Sequence, residues 1–483
     1  MRGRGMSFIY ETSPRNSRLT RWHVGQLISI DVLPDDVLLV IFDFCVARVR
    51  DRATIRAIES WQSLVHVCGR WRTLVFRSPR RLNLRLVCTP RRPARHNLDI
   101  WPALHLQIQG TISSTSTDDI VVALGHGDRV YRVDLEVIGG LQWDKVLASM
   151  QVPLPELTYL DLHSNDETLP VIPNTFLSGS TPRLRYLKLK CIPFPGIPKL
   201  LLSATHLIQL YLCIPHSGYF SPDAMASSLS VLTRLGSLSL EFLSSRSRPD
   251  RESRHPPPLT RSLLPNLTAF WFKGVSGYLD DLVAWFDAPR LDNLFINFFH
   301  QINFNTPHLV QFISRIPVFG EPDEAEVDLE LDVPKVRLQS CTDDDYGELS
   351  VKISCRQSDQ QLSSIAQVCT RCLPSLPKVE SLQVFTNDPN AELDWKDNIE
   401  NNHWLELLCP FTAVKSIYLS EEFQLGIASA LQELVGRRTT EVLPSLQNIF
   451  LMRFEQSGPF QEAIKQFIAA RQLSGHPIAV FPS

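Results

Sequence analysis

A short phrase recurs through the middle of this 483-residue chain and restricts the fold more than any other feature. Each copy has an apolar residue, two variable residues, a second apolar residue, one variable residue and a third apolar residue. Apolar residues that alternate in this way predict a short strand with one buried face. Six copies of the phrase read PELTYLDL, PRLRYLKL, THLIQLYL, TRLGSLSL, PNLTAFWF and PRLDNLFI.

The spacing of the copies predicts a solenoid, because each strand-and-helix unit can bury its apolar face only against its neighbours. Segments that suit helices, such as SPDAMASSLSVLTR and TPHLVQFISRI, lie between the copies. Looser copies follow in VESLQVF, VKSIYL and LQNIFL, and the alternation in AEVDLELDV and ELSVKISC predicts further strands. The phrases begin at Leu157, Leu184, Leu207, Leu235, Leu267 and Leu291, so successive copies are 27, 23, 28, 32 and 24 residues apart.

This array resembles the leucine-rich repeat family in a degenerate form, because only the copy that ends at Asn165 has the family's asparagine after the strand. The resemblance implies an α/β fold over 101–483, an irregular solenoid with parallel strands on a concave face and helices outside. The polar, proline-rich segment 244–261 predicts a flexible insertion in that solenoid.

Residues 31–86 carry a second pattern. Pro34 suits the first position of a helix, and Asp35 and Asp36 favour its positive end. The apolar run 37–42 then predicts a helix that needs cover on every side, part of it from another protein, although a buried strand fits six apolar residues as well. A further helix is indicated by residues spaced three and four apart, namely Trp61, Leu64, Val65, Cys68, Trp71, Leu74 and Val75.

The two helices, with Leu33-Pro34 at the head and Arg70-Trp71-Arg72 near the end, resemble the F-box, which docks onto the Skp adaptor of cullin-RING ubiquitin ligases. The charged segment between Cys45 and Trp61 is longer than the usual F-box has. The resemblance implies that Val67, Trp71 and Leu74 belong to the core of the module. It implies that the adaptor is contacted by Leu33, Pro34, Val37, Leu38, Ile41 and Phe42.

Composition limits the rest of the chain. The polar, basic segment 1–30 predicts a disordered tail, and 87–100 a linker. A net charge of −3 and a pI near 6.5 give no reason to expect a nucleic-acid partner. The chain shows neither the apolar core of a signal peptide nor an apolar run long enough for a membrane span, so we expect no membrane partner and a cytoplasmic or nuclear location.

Motifs for chemistry are missing from the sequence. It contains no phosphate loop, zincin helix, nucleophile elbow or dinucleotide fingerprint, so we expect no cofactor and no catalysis. Cys369 and Cys372 form one C-x-x-C pair, which we interpret as buried thiols because no second pair stands at metal-ligand spacing.

Aromatic residues at the variable positions of the strands indicate a recognition surface, because aromatic side chains bury a large area at little entropic cost. The alternative is that aromatic residues simply favour strands and pack on each other. Asp328, Glu330 and Asp332 would add an acidic section that suits a basic partner. The aromatic candidates for target binding are Tyr159, Tyr186, Tyr211, Trp271, Phe295, Tyr418 and Phe450.

Together the two resemblances imply the substrate-recognition subunit of an SCF-type ubiquitin ligase. The F-box would bind the Skp-type adaptor and through it a cullin, and the repeats would bind a protein substrate. Such a subunit does no chemistry itself and acts by raising the local concentration of its target near the conjugating enzyme. The alternative is a repeat-based protein-binding scaffold that acts independently of a ligase.

Overall fold

The structure is a computed structural model. Parts of three predictions lie outside the described residues. These are 1–29 of the predicted tail, 246–259 of the predicted insertion, and Asp332 of the predicted acidic section. The described residues are 30–50, 59–90, 92, 94–138, 140–166, 169–245, 260–299, 304–330, 333–341, 346–354, 358–386, 401–435, 438–452 and 459–482.

The chain divides into two compact units, Met1–Leu84 and Arg85–Ser483. The first unit is helical. A 3-10 turn at Ile30–Val32 leads into α1, and two shorter helices follow. Their bounds are Asp35–Arg50 for α1, Gln62–Val65 for α2 and Gly69–Arg77 for α3.

The first unit is held together by contacts between α1 and α3. The ring of Phe42 lies 4.6 Å from that of Trp71, centroid to centroid. At the start of α1, Arg70 donates to Asp35 Oδ1 at 2.6 Å and to the carbonyl of Leu33 at 2.7 Å. Cys68 begins α3 and its sulfur accepts from the backbone N–H of Trp71. Part of the long charged segment after Cys45 continues α1 to Arg50.

In the described residues, the second unit is built on one sheet of 16 strands with a separate two-stranded pair, β8 and β10. Its fold class is the α/β solenoid that the sequence predicts. The strands are β1 85–88, β2 105–112, β3 130–137, β4 159–164, β5 186–190, β6 209–214, β7 237–242, β8 262–263, β9 269–274, β10 286–287, β11 293–299, β12 324–328, β13 335–341, β14 346–354, β15 381–385, β16 416–419, β17 448–451 and β18 479–482.

Helices connect many of the successive strands and pack side by side along the array, so one face of the sheet is buried. Within the described residues, β12, β13 and β14 follow one another without a helix, and only a 3-10 turn lies between β4 and β5. In β5, for example, Leu187 and Leu189 are buried, and the residues that alternate with them, Tyr186, Lys188 and Lys190, are half-exposed. The helices are α4 94–100, α5 117–124, α6 140–149, α7 197–201, α8 222–229, α9 276–283, α10 307–314, α11 358–372, α12 401–408, α13 421–432 and α14 459–473.

The order of the strands departs from a simple solenoid at one place. Strand β13 pairs antiparallel with both of its neighbours, β12 and β14, whereas the other neighbouring strands of the large sheet pair in parallel. The sheet order there is β11, β14, β13, β12, β15. The prediction that the strands are parallel is therefore wrong for this one strand.

The predicted linker 87–100 is folded. Strand β1, at Arg85–Cys88, pairs with β2 and forms the first strand of the sheet, and helix α4 follows at Ala94–Ile100. Leu86, Val87 and Cys88 are buried in that strand. The arginines and prolines of this stretch conceal a short apolar strand, which is why composition predicts a connector.

Candidate protein-binding surfaces

Helix α1 exposes one apolar face. Val37, Val40 and Phe44 are 38%, 45% and 68% exposed. Their spacing of three and four residues places them along a single stripe of the helix. Leu38, Phe42 and Val46, on the opposite side of α1, are buried. We call Val37, Val40 and Phe44 the α1 stripe; an exposed apolar stripe of this kind is typical of a surface that another protein covers.

This division of α1 changes the set of residues implied for adaptor contact. Leu38 and Phe42 are fully buried, Phe42 against Trp71, so neither side chain is accessible to a partner in this structure. Pro34 and Val37 are exposed, and Leu33 and Ile41 are partly exposed. The pattern of apolar residues could not show this division, because it is apolar all the way round the helix.

The residues implied for the core of the module also divide. Trp71 and Leu74 are buried on α3. Val67 is 59% exposed, so its implied core position is wrong. The reason is local: Val67 lies in the turn between α2 and α3, where the helical spacing that places Leu64 and Trp71 inside does not apply.

On the solenoid, the candidate surface consists of the strand positions that alternate with the buried ones, which we call the open face. The registers of the parallel pairs align these positions into rows that cross the sheet. One row contains Tyr159 and Tyr186, paired directly across β4 and β5. The next row contains Tyr211, Ser239, Trp271 and Phe295 on β6, β7, β9 and β11, and at the far end Tyr418, Phe450 and Phe481.

Six of the seven predicted aromatic residues stack in three groups, and Tyr211 instead lies under the ammonium group of Lys188, 5.9 Å from the centre of its ring. The rings of Tyr159 and Tyr186 are 4.2 Å apart and almost parallel. Trp271 and Phe295 stack at 5.5 Å, and Trp271 is 37% exposed. The third group, Tyr418, Phe450 and Phe481, is stacked at 4.5 and 5.1 Å, and Phe481 is a member that the phrase did not reveal because IAVF is too short to show it. The seven predicted aromatic residues thus share one face of the sheet but lie in separate places along it.

Charged side chains surround the first aromatic group. The guanidinium of Arg132 lies 3.5 Å from the centre of the Tyr159 ring and pairs with Asp134 at 3.1 Å. Lys188 pairs with the buried Asp161 at 3.2 Å. Burial, more than any neighbouring charge, raises the pKa of Tyr159 well above its ordinary value, so the hydroxyl stays protonated and can donate a hydrogen bond. The charges here balance each other, and the surface offers rings and neutral hydroxyls.

A second charged region lies where β13 enters the sheet, and the sequence pattern missed it. Lys335 and Arg337 on β13 stand beside Lys352 on β14, all at open-face positions. The structure does not place the three residues of the predicted acidic section together on the open face. Asp328 is buried, Glu330 follows the end of β12, and Asp332 lies outside the described residues. The sequence alone does not show that Lys335 and Lys352 are neighbours, because this depends on which strands pair in the sheet.

The C-x-x-C pair lies on α11 and both thiols are buried. Burial raises the pKa of Cys369 well above its ordinary value and that of Cys372 to about 11, and Thr306 Oγ1 lies 3.2 Å from the Cys372 sulfur. Across the described ranges, no group of three His, Cys, Asp or Glu residues is arranged to hold a metal ion. Within the same part of the chain, no helix has the length and apolar character to cross a membrane.

Comparisons with known proteins give low similarities. No family model and no curated protein matches the chain. A solved structure of the leucine-rich repeat-containing protein LegL7 from Legionella pneumophila is similar over 80% of this chain and 97% of that one, with 14% identity and a TM-score of 0.26. A solved complex of Rad7 and Elc1 in yeast is similar over 88% of this chain and 90% of that one, with 12% identity and a TM-score of 0.26. Both TM-scores are too low to show a shared fold, so the solenoid assignment rests on the strand order and helix packing described above.

Proposed function

We propose that this chain is a substrate-recognition subunit of an SCF-type (Skp-cullin-F-box) ubiquitin ligase. In this proposal the first unit docks a Skp-type adaptor and the open face of the solenoid holds a protein target. The observation that carries the proposal is the α1 stripe, a run of apolar side chains left exposed on a helix whose other face already fills the core of its unit. A protein with this role is not itself an enzyme and works where the adaptor and cullin are found, in the cytoplasm or the nucleus.

The adaptor contact is supported by the residues that remain exposed at the start of α1. Pro34 precedes the helix, Asp35 is tied to Arg70, and the α1 stripe continues from there. We therefore assign Val40 and Phe44 to the adaptor contact in place of Leu38 and Phe42. Burying such a stripe supplies roughly 25 cal/mol per Å² of apolar surface, before the costs of association are subtracted.

The target contact is supported by the rows of the open face. Aromatic residues with exposed rings, such as Trp271, are among the side chains that contribute most to protein interfaces. The three stacked groups present rigid apolar area at intervals along the sheet. A series of groups spread over many strands suits an extended protein segment better than a compact small molecule.

Co-purification of the full chain with a purified Skp-type adaptor tests the proposal. Val40→Asp combined with Phe44→Asp should abolish binding, because two charges would be buried in the apolar contact. Leu202→Asp with Leu263→Asp is the matched control, since these residues are 50% and 55% exposed apolar residues of the second unit, and it should bind normally. Failure of the unaltered chain to bind, or equal binding by both double variants, would contradict the proposal.

A ligase role makes a further demand that a scaffold does not. Removal of a substrate receptor lengthens the lifetime of the protein that it binds, whereas removal of a scaffold leaves that lifetime unchanged. Pulse-chase measurement of a captured partner, with and without this chain, therefore separates the two functions. An unchanged lifetime together with intact adaptor binding would favour the ligase-independent scaffold.

A further inference from the structure

The open face has a cationic and aromatic region at its centre. Trp271 and Phe295 stack on β9 and β11. The row two residues further along the same strands contains Lys273 and Asn297, and the registers continue it to Lys352 and Lys335 on β14 and β13. We call Trp271, Phe295, Lys273, Lys352 and Lys335 the central patch. It crosses four neighbouring strands, a width of about 14 Å at the usual strand spacing.

The two lysines at one end of the central patch oppose each other. Lys335 and Lys352 are direct partners across the antiparallel pair β13 and β14. Like charges placed directly opposite each other destabilise a sheet. Burial chiefly, and then the charges of Arg337 and Lys352, lower the pKa of Lys335, and the attraction of Asp328 and Glu326 offsets this only in part. A carboxylate placed between the two ammonium groups would relieve this repulsion.

The carboxylates of the region are already engaged elsewhere. Glu326 and Glu348 both pair with Arg337, each at 2.9 Å. Asp328, the other cross-strand neighbour of Lys335, is buried. Within the described residues, neither Lys273 nor Lys352 takes part in an ion pair, and Lys352 is exposed. Lys335 is half-exposed and forms no ion pair within the described residues either, so a ligand can reach all three ammonium groups of the row.

We propose that the central patch binds an extended acidic segment of a protein target, with carboxylates on the lysine row and one large apolar side chain on the Trp271 and Phe295 rings. This assignment rests on the proposed function, since it names the kind of target that the open face receives. The ring pair and the lysine row are about 7 Å apart, two residues along each strand, so one segment can touch both. About five extended residues are enough to cross the patch.

A single-stranded nucleic acid would use similar chemistry, but the surroundings of the patch oppose it. A polynucleotide needs a continuous cationic track for its phosphates. Here Glu241 lies across from Lys273 at one end, and Glu326, Glu348 and Asp328 lie at the other. A short cationic region bordered by carboxylates fits an isolated acidic cluster of a protein.

Fluorescence polarisation with the full chain and a labelled peptide of sequence Glu-Glu-Leu-Glu-Glu tests the assignment. Matched peptides replace the glutamates by glutamine, or the leucine by glycine. We expect each replacement to weaken binding by about tenfold or more, the effect of losing one good charge or apolar contact. Absence of binding by the first peptide, or equal binding by the glutamine peptide, would overturn the proposal.

Variants of the chain locate the site. Lys335→Gln with Lys352→Gln should weaken binding of the acidic peptide by about tenfold or more. Lys190→Gln is the matched control, a half-exposed open-face lysine on β5 away from the patch, and it should leave binding unchanged. Lys352→Glu should bind the peptide weakly yet unfold at a higher temperature than the unaltered chain, because it replaces a repulsive pair by an attractive one. Weak binding with a lowered unfolding temperature in all of these variants would overturn the assignment.

Competition with an oligonucleotide and comparison with the adaptor assay separate the remaining explanations. Displacement of the peptide by a single-stranded oligonucleotide of about ten residues at physiological salt, more effectively than by unlabelled peptide, would overturn the choice of a protein ligand. The adaptor assay depends on residues of the other unit. Failure of the peptide assay with intact adaptor binding therefore refutes the acidic-segment assignment alone, whereas loss of adaptor binding refutes the proposed function.

Discussion

Phe42 and Phe44 stand two residues apart on α1 and have opposite surroundings. Phe42 is fully buried against Trp71, and Phe44 is the most exposed member of the α1 stripe. The difference follows from helical geometry, because residues two apart point to nearly opposite sides of a helix. A phenylalanine therefore stabilises the first unit at position 42, and at position 44 it forms part of a surface that a partner can cover.

Truncation of these two phenylalanines should separate the two roles. Phe42→Ala should lower the free energy of unfolding of the first unit by about 3 to 5 kcal/mol, because it leaves a cavity beside Trp71. Phe44→Ala should change that free energy by no more than about 0.5 kcal/mol. Urea titration followed by tryptophan fluorescence measures both. Equal losses in the two variants would contradict the assignment of the buried and exposed faces of α1.

Arg471 is a buried cation that serves the backbone. Its side chain on α14 is fully buried and donates to the carbonyls of Pro444 at 3.0 Å and Leu446 at 3.2 Å, in the turn before β17. Burial lowers the pKa of this guanidinium, although an arginine remains charged at any pH the fold tolerates. The arginine thus joins the last long helix of the solenoid to the preceding turn.

Arg471→Met should lower the free energy of unfolding of the second unit by roughly 3 kcal/mol, because the substitution leaves buried carbonyls without donors. The matched control is Arg290→Met, at an exposed arginine in the turn before β11, which should cost less than about 0.5 kcal/mol. Chemical denaturation monitored by circular dichroism compares them. Similar stabilities for the two variants would show that the carbonyl contacts of Arg471 contribute little.

The neighbouring helices α9 and α10 are linked by the carboxylate of Asp280. Asp280 on α9 is buried, and its Oδ1 accepts from the backbone N–H of Leu309 at 2.8 Å, in the first turn of α10. A helix leaves its first N–H groups unpaired, and Asp280 satisfies one of them from the adjacent repeat. Burial nevertheless raises the pKa of Asp280, and the hydrogen bond from Leu309 and the nearby His308 offset this only in part.

The raised pKa predicts how Asp280 affects stability. In the unfolded chain the carboxyl ionises at about pH 3.9, and in the fold it ionises at a higher pH, so the folded state binds more protons between these values. The contribution of Asp280 to stability therefore falls as the pH rises through this window. Asp280→Asn keeps an acceptor for Leu309, and its stability relative to the unaltered chain should increase with pH. Urea unfolding between about pH 3.5 and pH 7 measures the difference, with Asp144→Asn on the exposed side of α6 as the control. A relative stability that is constant or falls with pH would contradict this prediction.

The predictability of the elements from sequence depended on whether they repeat the phrase. Strands β15, β16 and β17 were predicted because VESLQVF, VKSIYL and LQNIFL repeat its frame. Strand β13 was missed, although Val336 and Leu338 alternate in it, because nothing around KVRLQSC resembles a repeat. Alternation of apolar and polar residues predicts a strand but not its direction relative to its neighbours. The pattern therefore could not have shown that β13 is antiparallel.

The candidate surfaces were predictable to a similar degree. The phrase placed seven aromatic residues on one face of the sheet, because the strand period determines which residues share a face. It could not bring Lys273, Lys335 and Lys352 together, since their proximity depends on the order of β9, β11, β14 and β13 in the sheet. The sequence also did not show which face of α1 is buried. The helix is apolar on every side, so packing decides which of its apolar residues are covered.

Considered as a whole molecule, the chain has two compact units that carry two separate candidate surfaces. The α1 stripe belongs to Met1–Leu84 and the open face to Arg85–Ser483. In a solenoid each repeat is stabilised by its immediate neighbours, and strand β1 supplies the first of these interfaces in the second unit. The second unit therefore has the internal contacts needed to fold without the helices of the first.

A fragment that spans Arg85–Ser483 should fold alone, with the circular dichroism of a mixed α/β protein and a cooperative thermal transition. It should bind the acidic peptide with the affinity of the full chain, within about twofold, and should not bind the adaptor. Calorimetry and fluorescence polarisation measure these properties. A fragment without a cooperative transition would show that the second unit depends on the first for its stability.

The reversed strand β13 also governs how such an array can change in length. A parallel unit can be duplicated or lost between like neighbours, because the strand that follows still finds the same edge to pair with. Across 324–354 this exchange is blocked, since any added or deleted unit would present its edge in the wrong direction. We therefore expect the stretches on either side to tolerate changes in repeat number independently, and the three strands between them to be needed together.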